Sequence, residues 1–574
     1  MANMINLKIN NIPVSVPEGS TILDAARLAH IEIPTLCYLK DVACVGSCRM
    51  CLVEATGARG LVAACVYPVA EGMEVQTNTE KCRKSRKATL ELMLSKHKKK
   101  CPSCERNHNC ELQRLSGEYN ADEDRFEGEP LEHAIDDSAP YVVRDRDKCI
   151  NCNRCVAACK KQSVGAIGPI ARGYAVHVGS AFEMSLMESV CVGCGQCIVA
   201  CPVGALYERT TVDEVWAAIG DPNKKVVFFT APSVRATLGE AFDMPVGTNV
   251  EGKMVAAIRR LGPDYVFNMD ITADLTIMEE ATELLNRIKT GGTMPMFTSC
   301  CPGWIKFAEQ KHPEILPHLS TCKSPQEMFG GLLKTYWAEK MGIDPKDLYV
   351  VSVIPCTAKK YECHREEMKG EVDAAITTRE LARMIKTAGV KFTELPDEQF
   401  DDPFATCSGG ATIFGATGGV MEAALRVAAQ MLDGKFEVID FPEVRGTSPI
   451  KEATYNVAGI PVRVAVASGL ANAEEIIKGL QSGERKYDFI EIMACPGGCV
   501  NGGGQPTLSD SIRNTADLKS LRAEALYKSD KENKLRRSSE SPVVEKIYSE
   551  YFGAPNSHKA HEVLHTSYKA DKRI

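Results

Sequence analysis

Cysteine dominates the chemistry available to this chain: 25 in 574 residues, most of them in ordered runs. The runs CINCNRCVAAC (149–159) and CVGCGQCIVACP (191–202) each carry the spacing C-x2-C-x2-C-x3-C. That spacing holds two 4Fe-4S clusters, the fourth cysteine of each run ligating the other cluster. One cluster then takes Cys149, Cys152, Cys155 and Cys201, and the other Cys159, Cys191, Cys194 and Cys197. Upstream, Cys37, Cys48, Cys51 and Cys65 form C-x10-C-x2-C-x13-C, a set of four thiolates on one loop system that suits a 2Fe-2S cluster, with Cys44 as a rival ligand. HKKKCPSCERNHNC contributes His97, Cys101, Cys104 and Cys110. One imidazole with three thiolates can hold a further 4Fe-4S cluster and tends to raise its reduction potential; His108 is the competing imidazole. In the second half, TSCCPGW (298–304), IPCTAKK (354–360) and MACPGGCVNGGGQP (493–506) bring more cysteines from three distant stretches. Spacing alone reads these as four thiolates on one cluster. Several iron-sulfur centres in series serve to move single electrons, and this argues against a hydrolase or a transferase.

The elements that must position these residues follow from periodicity. INLKINNIPVSV alternates as two strands about an Asn-Asn turn, and STILDAARLAHI reads as a helix capped by Ser20 or Thr21. His97 and Cys101 share one face if the LELMLSKH helix continues through them. Residues 112–145 are acidic and Pro/Gly-punctuated, and read as a connector. From about 211 the pattern becomes α/β. Apolar β-branched stretches at 225–232, 264–270, 294–300, 348–356, 462–468 and 489–495 are separated by helical segments such as LTIMEEATELLNRIK (275–289). The second-half cysteines sit where three of those strands end, and sites in open α/β sheets gather at carboxyl ends of strands. Two lobes that each contribute strand ends are therefore expected. Cys300 and Cys301 are adjacent, so extended backbone would point them to opposite sides. Glycine-rich GATGG (415–419) and NGGGQP (501–506) match no phosphate loop and read as sites of close backbone approach. The last 45 or so residues read as a polar wrap, with His558, His561 and His565 structural.

Composition sets the outer bounds. The length exceeds the ~250–300 residues at which single cores stop growing, so several domains are expected. Hydrophobic content of 44% and charged content of 25% are those of a soluble globular protein, and a net charge of −7 argues against nucleic acid as a partner. No apolar run reaches the ~18 residues of a membrane span, and MANMINLKIN is no secretion signal, so a cytoplasmic protein is expected. A reducing cytoplasm makes disulfides unexpected and metal ligation the reading for the clustered cysteines. The five cysteines outside the sets (Cys44, Cys82, Cys322, Cys363 and Cys407) read as buried packing thiols, and Lys98–Lys100 as a solvated charge run.

The three second-half motifs resemble the signature motifs of the iron-only (FeFe) hydrogenases, and the resemblance extends over essentially the whole chain. It implies a β-grasp 2Fe-2S ferredoxin-like domain at 1–80, a small His/Cys3 4Fe-4S domain at 81–125, a two-cluster ferredoxin domain at 140–210, and a two-lobed α/β H-cluster domain at 211–574. The fold class is thus multidomain, α+β and α/β. The implied cofactors are one 2Fe-2S cluster, three 4Fe-4S clusters, and an H-cluster, a 4Fe-4S cubane bridged to a diiron unit carrying CO, cyanide and a dithiolate. By motif, Cys301, Cys356, Cys495 and Cys499 ligate the cubane, and Cys499 bridges to the diiron unit. Cys300 is the implied proton donor and acceptor, a role that needs a thiol free of metal. The implied proton relay runs Cys300, Glu280, Ser320, Glu283, with Arg287 near its outer end; Glu280, Glu283 and Arg287 share one helix face. Adjacent Glu279 should point elsewhere and be dispensable. Lys359 matches a lysine that hydrogen-bonds a cyanide, Pro232 and Ser233 the groups around the other cyanide, and Gln326 and Met493 residues lining the pocket. Ile354 stands where many relatives have methionine.

The resemblance implies reversible reduction of protons to dihydrogen, and anaerobic metabolism. Stretches such as DDSAPYVVRDRDKCI look most like the catalytic subunit of flavin-containing, electron-bifurcating hydrogenases, which work with ferredoxin and with NAD-binding sister chains. Maturation proteins would install the diiron unit. A stand-alone ferredoxin-dependent hydrogenase is the alternative; a dihydrogen sensor and a complex I-like electron-transfer subunit are less favoured, because the chain keeps Cys300 and the paired cysteines of TSCC and PGGC.

Overall fold

The computed structural model describes residues 3–126, 132–368, 370–432, 439–457, 459–571 and 573. At the N-terminus, strands Met4–Ile9 and Ile12–Pro17 pair antiparallel. Asn10 and Asn11 turn between them at φ 47° and 70°, a left-handed conformation that asparagine tolerates. Helix Ile22–Leu28 starts at Thr21, whose hydroxyl and Asp24 form a reciprocal capping box, so Thr21 rather than Ser20 is the cap. Glu74–Gln76, Leu52–Ala55 and Val62–Ala63 complete a five-stranded sheet, with the Met4–Ile9 strand second and Glu74–Gln76 at its centre.

Helix Glu80–Leu94 ends before the next motif. His97 lies in the turn beyond it and Cys101–Ser103 form a separate 3-10 turn, so the two residues do not share one helix face. The connector read at 112–145 also begins later than expected. Glu111–Glu118 is a helix, held by buried Leu112 and Leu115 and started by the Cys110 sulfur accepting from Gln113 N–H. Residues 127–131 of that connector lie outside the described residues. The paired cysteine runs each lead into a short helix, Arg154–Lys161 and Gln196–Ala200, and two small antiparallel ladders flank them.

All six apolar stretches of the second half contain strands, and with two further strands they build two four-stranded sheets. The first is wholly parallel: Tyr265–Asn268, Lys225–Thr230, Leu348–Ile354 and Ala374–Thr377 in that order. The second joins Met296–Phe297, Phe489–Met493 and Ile460–Ser468 in parallel and adds Ile450–Val457 antiparallel. Helices cover both faces of the first sheet, which is why Val227, Phe228 and Phe229 are all fully buried and the sequence there is continuously apolar. Each such side chain contributes roughly 1.5–3 kcal/mol of burial. The 21-residue helix Asp270–Thr290 packs against Gly419–Leu432 and Pro325–Leu332, and so ties the two sheets together. Carboxyl ends from both sheets face one region. Ser233 follows Thr230, Cys300 follows Phe297, Cys356 follows Ile354, and Cys495 follows Met493.

Candidate active site and electron path

Cys301 has extended dihedrals (φ −103°, ψ 103°), and the pair Cys300–Cys301 splits as extended backbone demands. Cys301 packs into the core around Trp304 and Ile490, whereas Cys300 packs with Met296, Phe414 and Met493. Cys301 meets Cys356, Cys495 and Cys499 on one side. Burial pushes each of these thiols up, and the neighbouring sulfurs push Cys356, Cys495 and Cys499 further; the Cys356 thiol is driven to about 12, first by burial and next by Cys301. Four neighbouring thiols in a dry pocket are a donor set for a metal centre, which takes all four as thiolates. The residues present therefore fit an iron-sulfur cubane.

Close backbone approach closes this pocket. A Cβ on Gly502 would lie 2.3 Å from Pro355 O, and one on Gly503 2.4 Å from Cys194 O. Only glycine lets the loop after Cys499 seat against the Cys356 strand end and the Cys194 turn together. Thr357 Oγ1 donates to Gly193 O at 2.7 Å and strengthens the same seam.

On the other side, the Cys300 thiol is raised well above its ordinary value, first by burial and next by the charge of Glu280. Glu280 is fully buried, and neither carboxyl oxygen has a hydrogen-bond partner among the described residues. Burial, followed by the Glu283 charge, lifts its carboxyl from 4.5 to about 8. Glu283 Oε2 accepts from Ser320 Oγ at 2.8 Å, and its Oε1 accepts from Arg287 Nη2 at 2.6 Å. Arg287 also donates to Leu319 O at 2.7 Å and remains partly open to solvent. Glu280 is thus a neighbour of both Cys300 and Glu283, and Ser320, Glu283 and Arg287 form a hydrogen-bonded chain beside it.

Lys359 Nζ donates to Glu362 at 2.8 Å and to Cys300 O at 3.2 Å. Burial alone would lower this ammonium, but the Glu362 carboxylate overrides it and holds it above its usual range. Gln326 accepts from Ser352 Oγ at 2.9 Å and donates to Glu327 at 2.7 Å. Ser233 is buried beside Gln505, and Pro232 and Met493 are buried at strand ends.

Comparison with known proteins places this geometry. Residues 224–503 match the family described as the iron-only hydrogenase large subunit, C-terminal domain, and residues 516–571 match the iron hydrogenase small subunit. Upstream, residues 2–80 match a 2Fe-2S iron-sulfur cluster binding domain, 86–125 the NADH-ubiquinone oxidoreductase-G iron-sulfur binding region, and 143–207 a 4Fe-4S dicluster domain. The NADP-reducing hydrogenase subunit HndD of Solidesulfovibrio fructosivorans is 44% identical over the full length of both chains. Iron hydrogenase 1 of Clostridium pasteurianum is 42% identical over 99% of this chain and all of its own. The chain belongs to the iron-only hydrogenase family. A solved apo [FeFe]-hydrogenase HydA1 from Chlamydomonas reinhardtii is 40% identical, with a TM-score of 0.57, over 63% of this chain and all of that one. More distantly, the cytosolic Fe-S cluster assembly factor narfl of Xenopus tropicalis is 29% identical over 67% of this chain and 84% of its own.

In this hydrogenase other cysteines also come together. Cys149, Cys152, Cys155 and Cys201 line one small internal cavity, and Cys159, Cys191, Cys194 and Cys197 line a second. The Cys51 and Cys65 sulfurs lie 3.4 Å apart, and Cys37 contacts Cys48 and Cys65. His97 Nδ1 is buried without a hydrogen-bond partner among the described residues, as a ligand nitrogen would be, whereas His108 is exposed.

Several expectations are corrected. Cys44 is exposed rather than packed, and its thiol donates to Cys65 O at 2.9 Å. Lys98 is not simply solvated; it pairs with Asp147 at 3.2 Å. Glu279 points away from Ser320 and Cys300, towards partners of its own. It is fully buried and accepts from Tyr548 Oη at 2.5 Å and Asn556 N at 2.6 Å, with His565 Nε2 at 3.1 Å. Sequence reasoning missed Glu362, though its i+3 spacing from Lys359 was a usable signal. It also missed Lys306, fully buried over the faces of Tyr141 and Tyr361 beside Cys191, for which no local pattern existed.

Proposed function

We propose that this chain is the H-cluster-bearing catalytic subunit of a hydrogenase that interconverts protons and dihydrogen. Cys301, Cys356, Cys495 and Cys499 would hold the cubane and Cys499 the diiron unit as well, with Pro232, Ser233, Gln326, Lys359 and Met493 lining the pocket around it. The observation that carries this reading is the split at residues 300 and 301. One thiol joins three others in a dry cluster pocket, while its neighbour faces a buried carboxyl that leads outward. When bound, the H-cluster supplies the metal chemistry that makes and breaks dihydrogen. The protein's own residues exclude water, keep the Cys300 thiol protonated and pass protons through Glu280, Ser320 and Glu283 to Arg287. Once Cys300 has given up its proton, a neutral Glu280 can replace it and take one in turn, through Ser320, from a Glu283 protonated from the Arg287 side.

The other cysteine sets would hold the clusters that carry electrons: Cys37, Cys48, Cys51 and Cys65 a 2Fe-2S cluster, His97, Cys101, Cys104 and Cys110 a 4Fe-4S cluster, and the two ferredoxin sets two more. The Cys194 loop packs on Thr357 and Gly503, so its cluster would lie next to the cubane. The sheet order at the N-terminus supports a β-grasp reading of 1–80, and the remaining domains are taken as 81–125, 140–210 and 211–574. Full-length similarity to a relative named as a subunit of an NADP-reducing hydrogenase supports a complex with flavin- and NAD-binding sister chains and ferredoxin. Maturation proteins would supply the diiron unit. No helix among the described residues is long and apolar enough to cross a membrane, and the cysteine usage fits a reducing cytoplasm. Infrared spectroscopy of the matured protein, with iron quantitation, tests the function. CO and cyanide bands are expected, and iron at cluster stoichiometry without such bands would refute it.

A further inference from the structure

The C-terminal wrap brings a set of donors to the outer half of the relay. Ligand atoms of Glu283, Cys322 and His565 all lie within 4.8 Å of one another. Cys322 is fully buried and His565 nearly so. His565 Nδ1 meets Thr321 Oγ1 at 2.8 Å, and Thr321 N–H donates to both Glu283 oxygens, so the three residues belong to one hydrogen-bonded patch. The surroundings are acidic. After burial, the charges that raise the Cys322 thiol are those of Glu283, Glu280 and Glu279. Facing them are the Arg287 guanidinium, already bound to Glu283, and the His565 ring on Glu279. Towards solvent, the exposed His561 ring lies 4.0 Å from the His565 ring, centroid to centroid.

A thiolate, an imidazole and a carboxylate are the donors a borderline divalent cation prefers, with bond lengths of ~2.3 Å to sulfur and ~2.0–2.2 Å to nitrogen and oxygen. Donor separations in such a site are about 3.5 Å, so side-chain rotation of about an ångström closes the set. We propose that Glu283, Cys322 and His565 form a binding site for a zinc-like divalent cation, and that its occupation blocks the proton relay. Binding releases the Cys322 thiol proton to water by way of His561; His565 binds as neutral imidazole and Glu283 as carboxylate, with no change of oxidation state. The metal engages Glu283, which then no longer accepts from Ser320. The inhibitory half of this proposal rests on the relay reading above; metal binding itself does not.

The test adds zinc ions to the anoxic holoenzyme and compares wild type with Cys322→Ala, which lies outside the relay and keeps basal turnover. A Cys44→Ser variant controls for the exposed thiol. The expected result is one chelator-reversible zinc per chain, whose absorption spectrum shows one sulfur with nitrogen and oxygen neighbours and whose binding is lost in Cys322→Ala. Turnover falls in wild type and in Cys44→Ser, while Cys322→Ala needs at least tenfold more zinc for the same loss. Cluster spectra stay unchanged throughout. Equal inhibition of wild type and Cys322→Ala, or no sulfur-ligated zinc, overturns the site. Zinc bound through Cys322 with turnover unaffected upholds the site and overturns the relay role of Glu283.

Discussion

Replacing Glu280 by glutamine should remove most of this hydrogenase's turnover and change how its stability depends on pH, the second effect following from the raised Glu280 carboxyl. Burial and the Glu283 charge hold the Glu280 carboxyl at about 8 in the folded chain, against 4.5 for an exposed glutamate. Its folded-state value is raised, so the stability it contributes is fully present below 4.5 and is lost as pH climbs towards about 8. At 1.36 kcal/mol per unit, the loss at about pH 7 is roughly 3 kcal/mol. Glutamine has the same shape, never ionises and escapes that loss, although its unpaired amide hydrogens give back ~1–3 kcal/mol. The expected signature is an apparent melting temperature of Glu280→Gln that gains on wild type steadily between about pH 5.5 and pH 8 and then levels off. Absolute unfolding energies are not needed, because only the pH slope of the difference is read. Turnover should fall by ~10²–10⁴, the contribution of a positioned proton carrier, with cluster spectra intact. Turnover above a tenth of wild type would refute the relay. A pH-independent stability difference would refute the buried neutral acid.

Three further outcomes are expected. Cys300→Ala should retain cluster spectra and lose nearly all turnover, and normal turnover would remove Cys300 from the proton path. Gly195→Ala should slow reductant-driven hydrogen evolution while leaving infrared bands in place. Its added Cβ meets Thr357 Oγ1 at 2.4 Å and the Gly503 Cα at 2.8 Å, at φ +69°, and so wedges the Cys194 loop off the cubane pocket; unchanged rates would show that this seam carries no electrons. Purification from a native host should bring down flavin-containing chains, whereas a stable lone chain with full ferredoxin-linked activity would favour the stand-alone enzyme.

Much of this molecule was legible before any coordinates, because thiolate ligands leave a spacing signature and parallel buried strands leave continuous apolar runs. The two runs at 149–159 and 191–202 set out the exchange of their fourth cysteines, and the four residues of each set do line a common cavity. The strands at 225–230, 348–354 and 489–493 fall where the β-branched stretches put them. What was not legible depends on distant partners. Glu279 looks like any helical carboxylate until Tyr548 and His565 return from about 270 and 290 residues away to hold it. The helix at 111–118 was lost in an acidic stretch because its stabilising contacts are tertiary rather than periodic. Ala374–Thr377 and Ile450–Val457 are short or half-exposed and carry too weak an apolar signal to stand out.

The central claim is that sulfurs from three separated motifs converge on one iron centre. An iron-anomalous crystallographic map of the matured holoenzyme measures this directly. The account predicts a cubane bounded by Cys301, Cys356, Cys495 and Cys499, with a second pair of irons attached at Cys499 and the Cys300 sulfur left free between that pair and Glu280. A map with no iron among those four sulfurs, or with Cys300 as a cluster ligand in place of one of them, would contradict it.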